Sequence, residues 1–168
     1  MAGEFITFEG GEGVGKTTQI KRLASRLEAA GVRYHITREP GGSEGGEEIR
    51  RLILTGDAGR WTPMTEALLM TASRVDHVEK VVKPMLADGV VVLCDRFFDS
   101  SIAYQGAGHG LGTEKVRALQ TLALGDFKPD MTLILHSKTS EGLARAVMRE
   151  GQQALPEDRF ERMGDAFH

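Results

Sequence analysis

The chain has a single cysteine, Cys94, so no disulfide can form within it and a reducing, cytoplasmic home is the expectation. Cys94 sits in the apolar run VVVLCD, where a buried strand thiol resists ionisation. There is no excess of basic charge. The net charge of -3 argues against a binder of nucleic-acid polymers, which carries surplus Lys and Arg. No apolar run is long enough to cross a bilayer, and the opening MAGEFITFEGG lacks the basic region and long apolar stretch of a secretory signal. Internal repeats, low-complexity tracts and domain linkers are also missing. What is present is an ordinary balance: 168 residues, 40% hydrophobic and 27% charged, enough for one globular domain with a sizeable core.

The pattern along the chain alternates. Phe5 to Phe8 is a short β-rich run ending in glycine, and Ile20, Leu23, Ala24 and Leu27 follow at the spacing of a helix with one buried face. A strand is expected over residues 32–37, a short helix over 47–54 and a long helix from Pro63 with Thr65 as a further cap, in which Pro84 kinks the chain or starts a new turn. Val90 to Leu93 is an unbroken β-branched run, as in a parallel strand covered on both faces. A helix over 116–124, a buried strand over 131–135, a helix over 141–149 and a polar, mobile loop over 151–157 complete the reading. Strands alternating with helices predict one α/β domain with a parallel sheet.

Gly10, Gly11, Glu12, Gly13, Val14, Gly15, Lys16 and Thr17 fit G-x-x-x-x-G-K-[ST] between a strand and a helix, the context that must accompany the pattern. Glycines let the backbone wrap phosphate, and the N-terminus of the following helix adds a favourable dipole. In that geometry Lys16 reaches the β- and γ-phosphates and the Thr17 hydroxyl is placed for Mg²⁺. Asp95, at the carboxyl end of an apolar strand, is a second metal candidate, since ligands of parallel sheets bind beyond those ends. The loop by itself does not separate kinases from GTPases, motors or transport ATPases. The sequence has no N-K-x-D segment to read guanine. Instead Arg38, Arg74, Arg96, Arg145, Arg149 and Arg159 stand after strands and in turns, where guanidinium groups bind phosphate and stabilise transferring charge.

The segments FEGGEGVGKTTQ, TREPGGS, ASRVDHVEKVVKPML, DRFFDSSIAYQG and DRFE, in this order, resemble the bacterial thymidylate kinases, from Phe5 to about Glu161. The resemblance implies an adenylate-kinase-like P-loop fold, a three-layer α/β/α arrangement around a parallel sheet in the order 2-3-1-4-5, lacking here the family's final edge strand and helix, which contribute to the adenine-side wall. It implies ATP as phosphate donor with Mg²⁺, dTMP as acceptor, and the small-molecule partners of a cytoplasmic enzyme, with no nucleic-acid polymer, no membrane and self-association as a homodimer. ATP would lie along Gly10 to Thr17 and Thr18. Arg38 and Arg96 would bind the thymidylate phosphate, Arg74 the thymine edge, Ser101 and Gln105 the base, Tyr104 the sugar and Glu12 the 3′-hydroxyl. Glu9 would join the water shell of the metal held by Thr17 and Asp95. Gly13 stands where some relatives carry a catalytic arginine. Relatives without it supply that charge from a mobile lid, here at about residues 149–158, with Arg149 and Arg159 as candidates and Arg145 behind them.

Two positions depart from the pattern. Met70 stands where the family usually stacks a phenylalanine on thymine, and a thioether covers a ring with less shape selection. His136 replaces an acidic residue that often ends the fourth strand. The alternatives to a thymidylate kinase are another nucleotide or deoxynucleoside kinase of related fold and a nucleotide-binding chain with little turnover. Arg38 and Arg96 together favour an acceptor that already carries phosphate. Whatever the acceptor, Lys16→Ala is expected to lower turnover by roughly 10²-fold or more while leaving the fold intact. Steady-state kinetics beside circular dichroism check this, and an unchanged kcat would remove the P-loop assignment.

Overall fold

The structure, a computed structural model, describes residues 3–136 and residue 159. Four strands, β1 (Phe5–Glu9), β2 (Tyr34–Arg38), β3 (Val91–Asp95) and β4 (Met131–Ile134), form one parallel sheet in the order β2-β3-β1-β4. β1 is central, its Phe5 opposite Val92 on β3 and its Ile6 opposite Met131 on β4. All five β1 residues are buried, which is why the run reads as continuously apolar rather than alternating.

The pleat divides the core in two. Phe5 points to one face and packs with Val78, Val82, Val92, Cys94, Phe97 and Leu124. Its ring meets Phe97 edge-on at 5.1 Å and stacks with Phe127 at 5.8 Å. Ile6 and Phe8 point to the other face and pack with Leu93 and with Ile20 and Ala24 of helix α1 (Lys16–Ala29). Cys94 is fully buried, and desolvation pushes its thiol well above the usual range, as its apolar run predicts.

Helix α2 (Glu44–Leu54) starts earlier than its apolar periodicity indicates, because Ser43 caps it by accepting from the Gly46 N–H at 3.1 Å. Its two glycines hid that first turn. Helix α3 (Pro63–His77) has Thr62 as its cap, accepting from the Thr65 N–H at 3.2 Å, with Pro63 in the first turn. The long helix then widens to a π segment at Val78–Val82 before α4 (Lys83–Ala87). The Lys83 N–H bonds Val78 O, five residues back, so the register has already shifted where Pro84 lacks an N–H. A short helix α5 (Phe98–Ser101) runs into a second π segment, Ile102–Gly108, which the apolar pattern did not reveal. Helix α6 (Thr113–Leu124) leads to β4.

β4 corrects one expectation. It is not a buried strand: Met131 is 53% and Ile134 75% exposed, because β4 is the edge of the described sheet. His136 beyond it is exposed. The expected helix 141–149, the loop 151–157, the lid at about 149–158, and with them Arg145 and Arg149, lie outside the described residues. No helix among the described residues is long and apolar enough to cross a membrane.

Phe5→Ala opens a cavity between two aromatic rings at the centre of the sheet and is expected to cost about 3–5 kcal/mol. Leu122→Ala, at a side chain that is 86% exposed, should change stability by less than about 0.5 kcal/mol. Urea unfolding of both variants checks the contrast, and equal losses would contradict this placement of the core.

Candidate active site

β1 ends at Glu9 and the chain turns at once into the glycine loop. Gly10 (φ 135°), Gly13 (φ 65°) and Gly15 (φ 101°) take backbone conformations that side chains disfavour. A Cβ at Gly10 would lie 2.3 Å from the carbonyl oxygen of Leu135, just beyond β4, so the loop also approaches that backbone too closely for any other residue. Gly15 precedes α1 with no side-chain cap, leaving the helix N-terminus to be satisfied from outside. Lys16 is buried and folds over the loop, donating to Gly10 O at 3.0 Å and Gly11 O at 2.9 Å. Burial, and then the nearby Arg96 guanidinium, bring its pKa down to about 8.

The Thr17 hydroxyl donates to Asp95 Oδ2 at 3.3 Å, and Asp95 Oδ1 is buried with no hydrogen-bonding partner among the described residues. A hydroxyl and a carboxylate with an open oxygen form a hard oxygen pair suited to Mg²⁺. No cluster of three or more His, Cys, Asp or Glu that could hold a metal lies among the described residues. Glu9 does not fit the expected place in that shell. It is 4% exposed, and its two oxygens accept from the Phe97 N–H at 2.7 Å and the Ser100 hydroxyl at 2.6 Å. Desolvation raises its pKa despite those bonds. Its contacts make it a brace for the turn after β3.

That turn carries Arg96, whose φ of 70° is the only positive value at a non-glycine among the described residues. Its Nη1 donates to Gly10 O at 2.9 Å and to Ser100 Oγ at 3.1 Å, and its Nη2 pairs with Glu12. Burial opposes the Arg96 charge, but Glu12, Tyr104 and Asp95 outweigh it and hold the pKa above its ordinary value. The Tyr104 hydroxyl donates to Glu12 Oε1 at 3.2 Å, and burial pushes its pKa up to about 12.

Two cavities meet at this point. One, of about 360 Å³, lies over the loop and is lined by Gly13 to Thr18, Arg38 and Asp95. The other, of about 130 Å³, is lined by Met70, Arg74, Phe97, Ser101, Tyr104 and Gln105 among others. Glu12, Glu39, Arg50 and Arg96 line both. Gly10 and Gly11 instead border a separate groove of about 260 Å³ with Glu9. Arg38, predicted at the acceptor phosphate, lines only the cavity over the loop and pairs with Glu47 at 3.1 Å.

The order of strands, the loop and the paired cavities can be set beside known proteins. The family model for thymidylate kinase matches residues 8–167. Thymidylate kinase of Caulobacter vibrioides is 55% identical over 166 residues, covering 99% of this chain and 77% of that protein. That of Rhizorhabdus wittichii is 49% identical over 169 residues, covering 100% and 79%. The chain belongs to the thymidylate kinase family. In three dimensions, the crystal structure of thymidylate kinase from Ehrlichia chaffeensis superposes with a TM-score of 0.75 at 39% identity, covering 87% of this chain and 78% of that one.

Against the thymidylate kinase pattern, three residues are placed unexpectedly. Arg74 borders the cavity, but its guanidinium is engaged. It donates to Glu39 Oε2 at 2.6 Å, Gln120 Oε1 at 3.3 Å, Phe97 O at 3.1 Å and Ser101 Oγ at 2.9 Å. Glu39 is shared with His77, whose Nδ1 lies 3.0 Å away. Arg159 is not over the loop. It is fully buried against Glu66 and donates to backbone carbonyls of residues 53, 57 and 58, so a catalytic role for it does not fit its position. Arg50 was missed. It donates to Pro40 O at 2.8 Å and lines both cavities. In the run EEIRRLIL nothing distinguishes it from its solvent-exposed neighbour Arg51, because the direction of a helix face is set by what the helix packs on.

A polyphosphate laid on Lys16 raises its pKa again, so binding at pH 8, where about half of the free lysine is neutral, takes up roughly half a proton per site. Calorimetry of ATP binding in buffers of different ionisation enthalpy is expected to detect this uptake at pH 8 and to lose it at pH 6.5 and in Lys16→Met. Buffer-independent heats at pH 8 would contradict the lowered pKa.

Proposed function

We propose that this chain transfers the γ-phosphate of ATP to dTMP, giving ADP and dTDP. The observation that carries the reading is the wall common to the two cavities. A donor held by the glycine loop and an acceptor held among Met70, Ser101, Tyr104 and Gln105 approach one another across Glu12, Arg50 and Arg96. The acceptor phosphate is itself a nucleophile at neutral pH, so no general base is needed. Rate comes from holding both reactants in line and neutralising the transferring charge.

The roles divide accordingly. Loop N–H groups and Lys16 take the β- and γ-phosphates of ATP. Thr17 and Asp95 would hold Mg²⁺, which when bound neutralises charge on the phosphate oxygens. Arg96 is steered by Glu12, Ser100 and Gly10 O to the junction of the cavities, where its charge meets the transferring group. Arg38 and Arg50 add positive charge at the same junction, Arg38 from the donor side. Arg74 orients Ser101 toward the base. Met70 packs with Ile53 and Leu54 as the apolar wall on which the base rests. With Arg159 withdrawn, Arg149, on a lid at about residues 149–158, and Arg145 behind it are the remaining candidates for transition-state charge. One domain, a cytoplasmic location and a homodimer belong to the same proposal, and exposed Met64 and Leu68 on α3 offer apolar surface for self-association.

Turnover with ATP and Mg²⁺ against dTMP, dUMP, dCMP, AMP and GMP tests the reading. The expected result is a kcat/KM for dTMP at least about tenfold above dUMP, in line with one extra methyl in an apolar pocket. The purine monophosphates should be poor acceptors. Preference for AMP or GMP, or no transfer to any acceptor, would overturn it.

A further inference from the structure

Behind the acceptor cavity lies a second buried ion pair that the phosphate chemistry does not use. Glu66, on α3, is fully buried, and its Oε2 accepts from Arg159 Nη1. Arg159 donates further to Ile53 O at 3.2 Å, Asp57 O at 3.2 Å and Ala58 O at 2.9 Å, which fixes the guanidinium against the last turn of α2 and the backbone that follows it. The other Glu66 oxygen, Oε1, accepts from Gln105 Nε2 at 2.9 Å, and His109 Nε2 lies 2.8 Å from the same atom. Gln105 is fully buried, borders the acceptor cavity, and its Oε1 has no hydrogen-bonding partner among the described residues.

A side-chain amide has a donor end and an acceptor end, whereas a carboxylate facing a guanidinium only accepts. Turning the Gln105 amide over would set its carbonyl against Glu66 oxygen and strand its NH₂. The carboxylate therefore decides which end of Gln105 is turned away from Glu66. That end is a buried acceptor, which costs stability until a donor meets it. We propose that Glu66, held by Arg159, is a positioning residue that locks the Gln105 amide with its carbonyl free for the acceptor, so that the cavity selects a base offering an N–H at that edge. A pyrimidine-2,4-dione offers its N3–H. A cytosine ring of the same outline offers a lone pair there and is rejected. Arg159 thereby acts on recognition of the base rather than on the transferring phosphate. The inference rests on the thymidylate reading above.

The test compares dTMP with 5-methyl-dCMP, which keeps the methyl group and the outline but reverses the donor and acceptor edge. The wild type is expected to prefer dTMP by on the order of 10²-fold or more in affinity. In Glu66→Gln a carboxamide can pair with either end of Gln105, so that ratio should fall at least about tenfold. KM for dTMP should rise about tenfold while kcat at saturation changes less than about threefold. A merely structural ion pair would lower the melting temperature and weaken both acceptors alike, and an unchanged ratio overturns the lock. If Glu66→Gln does not fold, Glu66→Leu combined with Arg159→Met removes the pair as a unit without stranding a charge, and the same ratio is read. A wild type that binds neither pyrimidine monophosphate overturns the thymidylate reading itself and this inference with it, whereas a selective wild type with an unaltered variant ratio overturns the lock alone.

Discussion

A single buried carboxylate sets the geometry on which the rest of the site depends. Glu9 ends the central strand, and with both oxygens committed to the Phe97 N–H and the Ser100 hydroxyl it pins the turn that follows the neighbouring strand. That turn forces Arg96 into a left-handed backbone conformation, which costs energy for a residue with a Cβ. The compensation is visible: the Arg96 N–H bonds Phe8 O at 2.9 Å and its guanidinium bonds the glycine loop. The cost secures direction. An arginine in ordinary extended backbone would continue along β3, whereas this one swings back across the loop toward Glu12.

A second constraint works on the acceptor side. The helix pair α2 and α3 packs together through Ile53, Leu54 and Met70, and polar bridges tie it to the sheet. Glu39, just after β2, meets Arg74 and His77 of α3, and Thr37 of β2 meets His77 at 2.7 Å. Gly42 passes so close to His77 that a Cβ would lie 2.5 Å from its ring, so the glycine of the REPGG turn is required by packing as well as by its φ of 82°. Each bridge joins an element from one end of the sequence to one from its middle. Such buried networks are worth most when every member is satisfied.

The glycine loop, the four strands, most of the helices and the parallel sheet are legible in the sequence because each is written locally. A glycine pattern between a strand and a helix, an apolar run of strand length and a 3.6-residue period all show within a short window. The start of α2 was hidden because its first turn contains two glycines, and the π segments because they leave no periodic signature of their own. The exposure of β4 was misread, since Met131, Leu133 and Ile134 look the same to a reader of sequence whether the strand is covered or at an edge.

The sequence carries the phosphate-binding chemistry in full, because eight consecutive residues hold it and their backbone and side chains act together. It also determined the family, through segments whose order along the chain is specific. Tertiary packing sets how the side chains are shared out. It turned Glu9 from a metal-shell candidate into a brace, took Arg159 away from the phosphates and set it against Glu66, engaged Arg74 with Glu39, and brought the unremarked Arg50 to the wall between two cavities. The reason is that a charged side chain acts through whichever partner lies within about 3 Å of it, and for Arg159 those partners stand up to 106 residues away in the chain, a separation that no local pattern records.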